Sequence, residues 1–188
     1  MSAIKLDGEL LAAEVREALK QRILKLERQG VRPGLGTILV GNDGPSENYV
    51  AMKHRDCKEL GMHSNEIKLP ETATQEDILS AVDSMNNDSE IHAFIIQYPF
   101  PDGLDYESAL MQVLPHKDAD GLHPVNLGRL VQGVEAPLAC TPAGIQLLLE
   151  RFEVPITGQH IVIIGRGLTI GRPLANLLSL KRPNANAA

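Results

Sequence analysis

The chain has 188 residues, 43% of them hydrophobic, and a formal net charge of -6 at pH 7. That length and apolar content support one large domain or one and a half ordinary ones. The acidic balance, without a Lys/Arg stripe, speaks against a nucleic-acid surface, and apolar runs such as "FII" and "IVII" are far too short to span a bilayer.

The first expected element is a long amphipathic helix in "LDGELLAAEVREALKQRILKLERQG", with Leu11, Val15, Leu19, Ile23 and Leu26 at helical steps, Asp7 as cap and Gly30 as stop. "LGTILVG" at 35–41 reads as a buried strand, and the turn "GNDGP" opens a helix near Pro45 and Ser46. A second strand is expected near 65–70, and Thr74 begins a capping-box pattern that opens a third helix. "IHAFIIQYPFP" is the third strand and "GLDYESALMQVL" the next helix. "PHKDADGLHPVNLGRLVQG", dense in Pro, Gly, Asp and His, reads as a loop. Helical patterning restarts at Thr141 and Pro142, and "ITGQHIVIIGRGLTIGRPLANLLSL" reads as strand, Gly-rich turn and helix. Strands alternating with helices predict an α/β fold: an open, mainly parallel sheet with flanking helices over 1–140, then a linking helix and the first βα unit of a Rossmann-type domain over 141–188.

The two cysteines, Cys57 and Cys140, have no CxxC partner, and the six histidines form no HExxH or HxxxH pair. Neither a disulfide framework nor a metal site is expected. The N-terminus lacks the charged and apolar regions of a signal peptide, so the expected compartment is the reducing cytoplasm.

Lys53 is the sharpest chemical signal. It falls on one helical stripe with Tyr49, Cys57 and Leu60, where an apolar residue is expected. A lysine there either exchanges protons in a pocket or snorkels to solvent. Tyr49 either stacks on a flat ring or fills the core. Gln97 ends a strand, at the edge where open α/β sheets face ligands, and either binds or caps a turn. Asp120 in "KDADG" either accepts paired N–H donors or forms a turn. Gly165, Gly167 and Gly171 in "GRGLTIG" follow an apolar run, as in loops that approach a pyrophosphate, though one spacing is a residue longer than GxGxxG and a structural turn stands equally. Arg166 inside that turn is either solvated or paired with a 2′-phosphate, which would favour NADP over NAD.

Taken together and in order, "SENYVAMK", "IIQYPFP", "KDADGLHPVNLGRL", "ACTPAG" and "IGRGLTIGRPL" resemble the bifunctional methylenetetrahydrofolate dehydrogenase/methenyltetrahydrofolate cyclohydrolase family over the whole chain. The resemblance implies oxidation of 5,10-methylenetetrahydrofolate with NADP+ and hydrolysis of the methenyl product to 10-formyltetrahydrofolate, in one-carbon supply for purine synthesis. It implies Lys53 as the catalytic lysine, Gln97 as its hydrogen-bonding partner, Asp120 as the pterin-holding carboxylate, Tyr49 as the packing ring and Ser46 as a further substrate residue. Gly165, Arg166, Gly167 and Gly171 correspond to the NADP site. A homodimer is implied, with no nucleic acid, membrane or metal.

Two departures accompany the resemblance. "QYPFP" stands where the family has "QLPLP", so Tyr98 and Phe100 either reshape the pocket or repack its wall. Family members also continue into the rest of a Rossmann domain and a C-terminal helix, so the chain is expected to lack that part. On that expectation it is a piece of the bifunctional enzyme, a folate module with hydrolase activity at most, or a non-catalytic pairing remnant.

Overall fold

The structure, a computed structural model, describes residues 3–188. It has two compact units: Glu17–Ala119, and Asp120–Ala188 together with the residues up to Arg16. The boundary falls inside α1 (Gly8–Glu27). Asp7 caps that helix as expected, its Oδ1 accepting the N–H groups of Glu9 and Leu10 at 3.1 and 3.2 Å. Of the apolar stripe read in the sequence, only Ile23 is buried.

In Glu17–Ala119, β1 (Gly34–Val40), β2 (His63–Leu69) and β3 (Ala93–Ile96) form a parallel sheet in the order β2-β1-β3. Ile38 of β1 stands opposite Ile67 of β2 and Ile96 of β3. The links are α2 (Gly44–Leu60) and α3 (Gln75–Asn87), the helical crossovers that parallel neighbours require. β1, flanked on both sides, is buried almost throughout, whereas β2 at the edge has no fully buried residue and alternates half-buried and exposed only from Asn65 on. The core packs Ile38, Val40 and Phe94 of the sheet against Ile78, Val82 and Met85 of α3.

The capping box of α3 forms as read. Thr74 Oγ1 accepts the Asp77 N–H at 3.2 Å while Asp77 Oδ2 accepts the Thr74 N–H at 2.8 Å. Those donors, the backbone N–H first and the hydroxyl second, hold the Asp77 carboxyl below its ordinary range. After β3 comes α4 (Tyr106–Gln112), capped by Asp105. Tyr106 meets both aromatic departures edge-on, with ring centroids 5.3 Å from Tyr98 and 5.3 Å from Phe100. Phe100 packs on the core, so it repacks a wall, whereas Tyr98 is 62% exposed.

The second unit contains α5 (Pro124–Gln132), α6 (Cys140–Arg151) and α7 (Gly171–Ser179). Two sequence expectations are corrected here. The stretch read as a loop from Pro115 to Gly133 becomes helical from Pro124. His123 Nδ1 accepts the Val125 N–H at 3.1 Å, proline opens the helix, and Gly133 closes it in the left-handed conformation. Proline and glycine read as loop markers were helix punctuation.

The second correction concerns "IVII". Residues 161–164 form no sheet strand. Ile161 and Ile163 pack on a small core of Ile156, Leu174 and Leu178, while Val162 is 73% exposed and Ile164 fully so. Alternate side chains face inward, as in a strand, but a ladder needs a neighbour along its length. Among the described residues pairing exists at one end alone: Ala188 N–H donates to the Gln159 carbonyl at 2.9 Å and Ile161 N–H to the Ala188 carbonyl at 3.2 Å, the two bonds of a parallel bridge. Among the described residues no helix is long and apolar enough to cross a membrane.

Candidate active site

The site in the first unit is built at the start of α2 and the end of β3. Asp43 caps α2: its Oδ2 accepts the Ser46 N–H at 3.0 Å and the Ser46 hydroxyl at 2.6 Å. The hydroxyl and then the N–H of Ser46 pull the Asp43 carboxyl below its usual range. Ser46 is 2% exposed, and its Oγ also lies 3.5 Å from the Tyr98 carbonyl. That places the serine at the junction between the helix start and the segment after β3.

One turn on, Tyr49 is 56% exposed, so it does not fill the core. Lys53, a further turn along, is half-buried, with Nζ 6.0 Å from the Tyr49 ring centroid and 3.1 Å from Gln97 Oε1. Helical spacing stacks ring and ammonium on one face. Gln97 is oriented from its other end, where Nε2 donates to the Tyr98 carbonyl at 2.8 Å, leaving Oε1 to accept from lysine. Its own N–H donates to the Ile38 carbonyl at 2.9 Å, which ties it to β1. Cys57, next on the stripe, is buried, and burial, then Asp56, raises its thiol pKa.

Beside this group a cleft of about 410 Å³ opens between the segments after β1 and after β3, lined by Asn42, Asp43, Glu71, Pro99, Phe100 and Asp102 among others. Strand β1 lies between two parallel neighbours, so the loops leaving β1 and β3 emerge side by side at the carboxyl end of the sheet. That is where open α/β sheets form ligand crevices.

In the second unit, Asp120 is half-buried and its carbonyl accepts the Cys140 N–H at 3.2 Å, which holds it against the start of α6. The Gly-rich turn precedes α7. Gly165 has φ +150°, a conformation that favours glycine, and a Cβ on Gly171 would lie 2.3 Å from the Gly165 carbonyl oxygen, so the two backbones touch because residue 171 is glycine. A Cβ on Gly167 would meet nothing closer than 3.9 Å. Arg166 is exposed, and the first turn of α7 receives no side-chain cap. Instead the backbone of the turn itself caps the helix: the Arg172 N–H donates to the Gly167 carbonyl at 3.1 Å, the Leu174 N–H donates to the Ile170 carbonyl at 2.8 Å, and Pro173 between them has no N–H.

The structure thus brings Ser46, Tyr49, Lys53 and Gln97 into one neighbourhood and groups Gly165, Arg166, Gly167 and Gly171 in another. Sequence reasoning passed over three contributors. Asp43 was visible as an Asx residue three positions before a serine at a helix start. Thr37 and His54, hydrogen-bonded at 2.8 Å between β1 and α2, left no local signal, because their pairing depends on the crossover.

Comparison with known proteins points to one family for both parts of the chain. The family model described as tetrahydrofolate dehydrogenase/cyclohydrolase, catalytic domain, matches residues 6–120, and its NAD(P)-binding domain companion matches residues 139–188. The chain is 52% identical over 188 residues to the bifunctional protein FolD of Syntrophotalea carbinolica, covering all of this chain and 65% of that protein. It superposes with a TM-score of 0.92 on the bifunctional FolD methylenetetrahydrofolate dehydrogenase/cyclohydrolase of Campylobacter jejuni, at 37% identity over 97% of this chain and 64% of that one. The Trypanosoma brucei methylenetetrahydrofolate dehydrogenase-cyclohydrolase, solved with NADP cofactor and inhibitor, gives a TM-score of 0.92 at 33% identity, covering 100% and 64% respectively. The chain therefore spans just under two thirds of the length of these relatives.

Proposed function

The chain belongs to the tetrahydrofolate dehydrogenase/cyclohydrolase family, and on that premise we propose that it carries the folate-side chemistry of the two reactions: oxidation of 5,10-methylenetetrahydrofolate with NADP+ and hydrolysis of the methenyl product to 10-formyltetrahydrofolate. The observation that carries this reading is the contact of Lys53 Nζ with Gln97 Oε1 at 3.1 Å, beside an exposed Tyr49 ring.

In the hydrolytic step, water adds to the methenyl carbon and loses a proton, and the C–N bond opens as the ring nitrogen gains one. Lys53 is the group that takes and returns these protons. To take a proton Lys53 acts as the neutral amine. One N–H donates to Gln97 Oε1, which leaves the lone pair to receive the proton and the second N–H for water or substrate, and the ammonium so formed returns the proton to the ring nitrogen. The exposed face of Tyr49 offers a stacking surface for the folate ring system, and the paired acceptor oxygens of Asp120 suit the N–H donors of an aminopyrimidine. Ser46 supports the substrate side through Asp43 and the Tyr98 carbonyl rather than from open solvent.

The backbone around Gly165, Gly167 and Gly171 would hold the NADP pyrophosphate and Arg166 the 2′-phosphate; the open space over Gly165 and Gly167, where a side chain would meet nothing closer than 3.9 Å, and the exposed Arg166 fit that group. When bound, NADP+ supplies the hydride acceptor of the oxidation. The family resemblance extends the reading to a homodimer in the cytoplasm, where the two free cysteines would stay reduced.

The test is hydrolysis of 5,10-methenyltetrahydrofolate by the chain, followed as loss of the methenyl chromophore. Lys53→Met is expected to cut the rate by about two to four orders of magnitude with an unchanged circular dichroism spectrum. Hydrolysis that is indifferent to Lys53 would overturn the proposal, as would a folded chain that binds no folate.

A further inference from the structure

Lys53 sits in a closed ring of contacts. Its Nζ meets Gln97 Oε1 at 3.1 Å, and the Gln97 N–H donates to the Ile38 carbonyl at 2.9 Å. Ile38 follows Thr37 on β1, and Thr37 Oγ1 lies 2.8 Å from Nε2 of His54, the residue after Lys53 on α2. The ring thus passes from helix to β3, across the sheet to β1, and back to the helix.

Each link constrains the next. A lysine side chain has many rotamers, so its meeting with Gln97 depends on how α2 is rolled and how far it is slid over the sheet. The fully buried side chains on α2 are Ser46, Val50 and Cys57. Apolar contacts are non-directional and tolerate small slides, whereas a hydrogen bond to a fixed strand does not. Thr37 is wholly buried, where a hydroxyl needs a partner, and the half-buried His54 provides it. Glu66 on β2 approaches the same His54 nitrogen, with Oε2 at 3.9 Å.

We infer that His54 and Thr37 are positioning residues, whose hydrogen bond holds α2 on β1 so that the Lys53 ammonium meets Gln97. The catalytic meaning of this rests on the proposed role of Lys53; the geometric claim can be tested without turnover. Limited acetylation of the 188-residue chain with acetic anhydride, read by peptide mass spectrometry, reports how freely each lysine reacts. Lys117, whose Nζ donates to the Met85 and Asp88 carbonyls, is the internal reference.

His54→Ala and the near-isosteric Thr37→Val are each expected to raise the Lys53 rate roughly two- to tenfold, the range that loss of one hydrogen bond allows, with Lys117 unchanged. His54→Gln, whose amide can still reach the hydroxyl, should restore most of the protection. In methenyltetrahydrofolate hydrolysis the same pair should lower kcat and leave KM within about twofold. Unchanged Lys53 labelling in both variants would overturn the inference and leave the proposed function standing. A parallel rise at Lys117 would reveal a loosened sheet instead of a positioning bond and would overturn it too. Lys53 protection that responds as expected in a chain without hydrolase activity would uphold the geometry and strike the proposed function.

Discussion

The strand β1 and the run "IVII" are near twins as sequences, each a β-branched apolar stretch leading into a Gly-rich turn and a helix, yet they end in different states. β1 pairs along its whole length with β2 and along four residues with β3, and its side chains are buried. The run at 161–164 reaches one bridge with Ala188, and half its side chains stand in solvent. The difference lies in the neighbours. A strand is a cooperative object whose N–H and C=O groups are satisfied by other strands, so hydrophobic pattern sets which side chains turn inward but does not supply a ladder.

The largest test of that contrast is truncation on the two sides. Ile78→Ala, which empties a fully buried position against the sheet, is expected to cost about 2–5 kcal/mol in urea unfolding followed by circular dichroism. Ile164→Ser, at a fully exposed position, should stay within about 0.5 kcal/mol. Equal losses from the two would mean that the run at 161–164 is packed in solution, and the comparison would fail.

A smaller effect is expected in the turn that follows. Gly171→Ala drives a methyl group to 2.3 Å from the Gly165 carbonyl oxygen, so the turn must open. The expected cost is about 1–3 kcal/mol, felt as faster amide hydrogen exchange in α7 while β1 keeps its protection. Faster exchange in β1 as well would show that the second unit's stability is not local.

The smallest effect is electrostatic. The Asp43 carboxyl is held below its ordinary range by the Ser46 hydroxyl and N–H, so its contribution to the start of α2 is fully present above the unfolded-state pKa and is lost as pH falls through the depressed folded value. The group is solvent-exposed, so the gain is modest. A carbon-detected NMR titration should give Asp43 a midpoint below that of an unpaired aspartate, and Ser46→Ala should move it upward.

Much of the fold was legible from local signals. The capping box at Thr74, proline at the start of α2 and the spacing of apolar residues each act over four or five residues, so they survive as sequence patterns. Within the site, Lys53 and Tyr49 were legible because one helix holds both. The partnership of Lys53 with Gln97 spans 44 positions and was suggested by resemblance, not by spacing. α5 differs from the loop reading because Pro124 and Gly133 serve equally as loop residues and as helix ends, and the helix is seen only with the His123 cap and the burial of Asn126 and Leu130 in place.

What the sequence determined by itself, then, was a set of short-range choices: the starts of α1, α2 and α3, the alternation of side chains along the run at 161–164, and the chemistry available at Lys53, Gln97, Asp120 and the glycines. The tertiary structure alone decided which of these meet. Parallel strands are joined by crossovers that carry residues far apart in sequence to one sheet edge, and the order β2-β1-β3 puts the end of β3 beside the β1 anchor of α2. His54 finds Thr37, and Lys53 finds Gln97, for that reason; the run at 161–164 remains largely unpaired because no local pattern can stand in for a neighbouring strand.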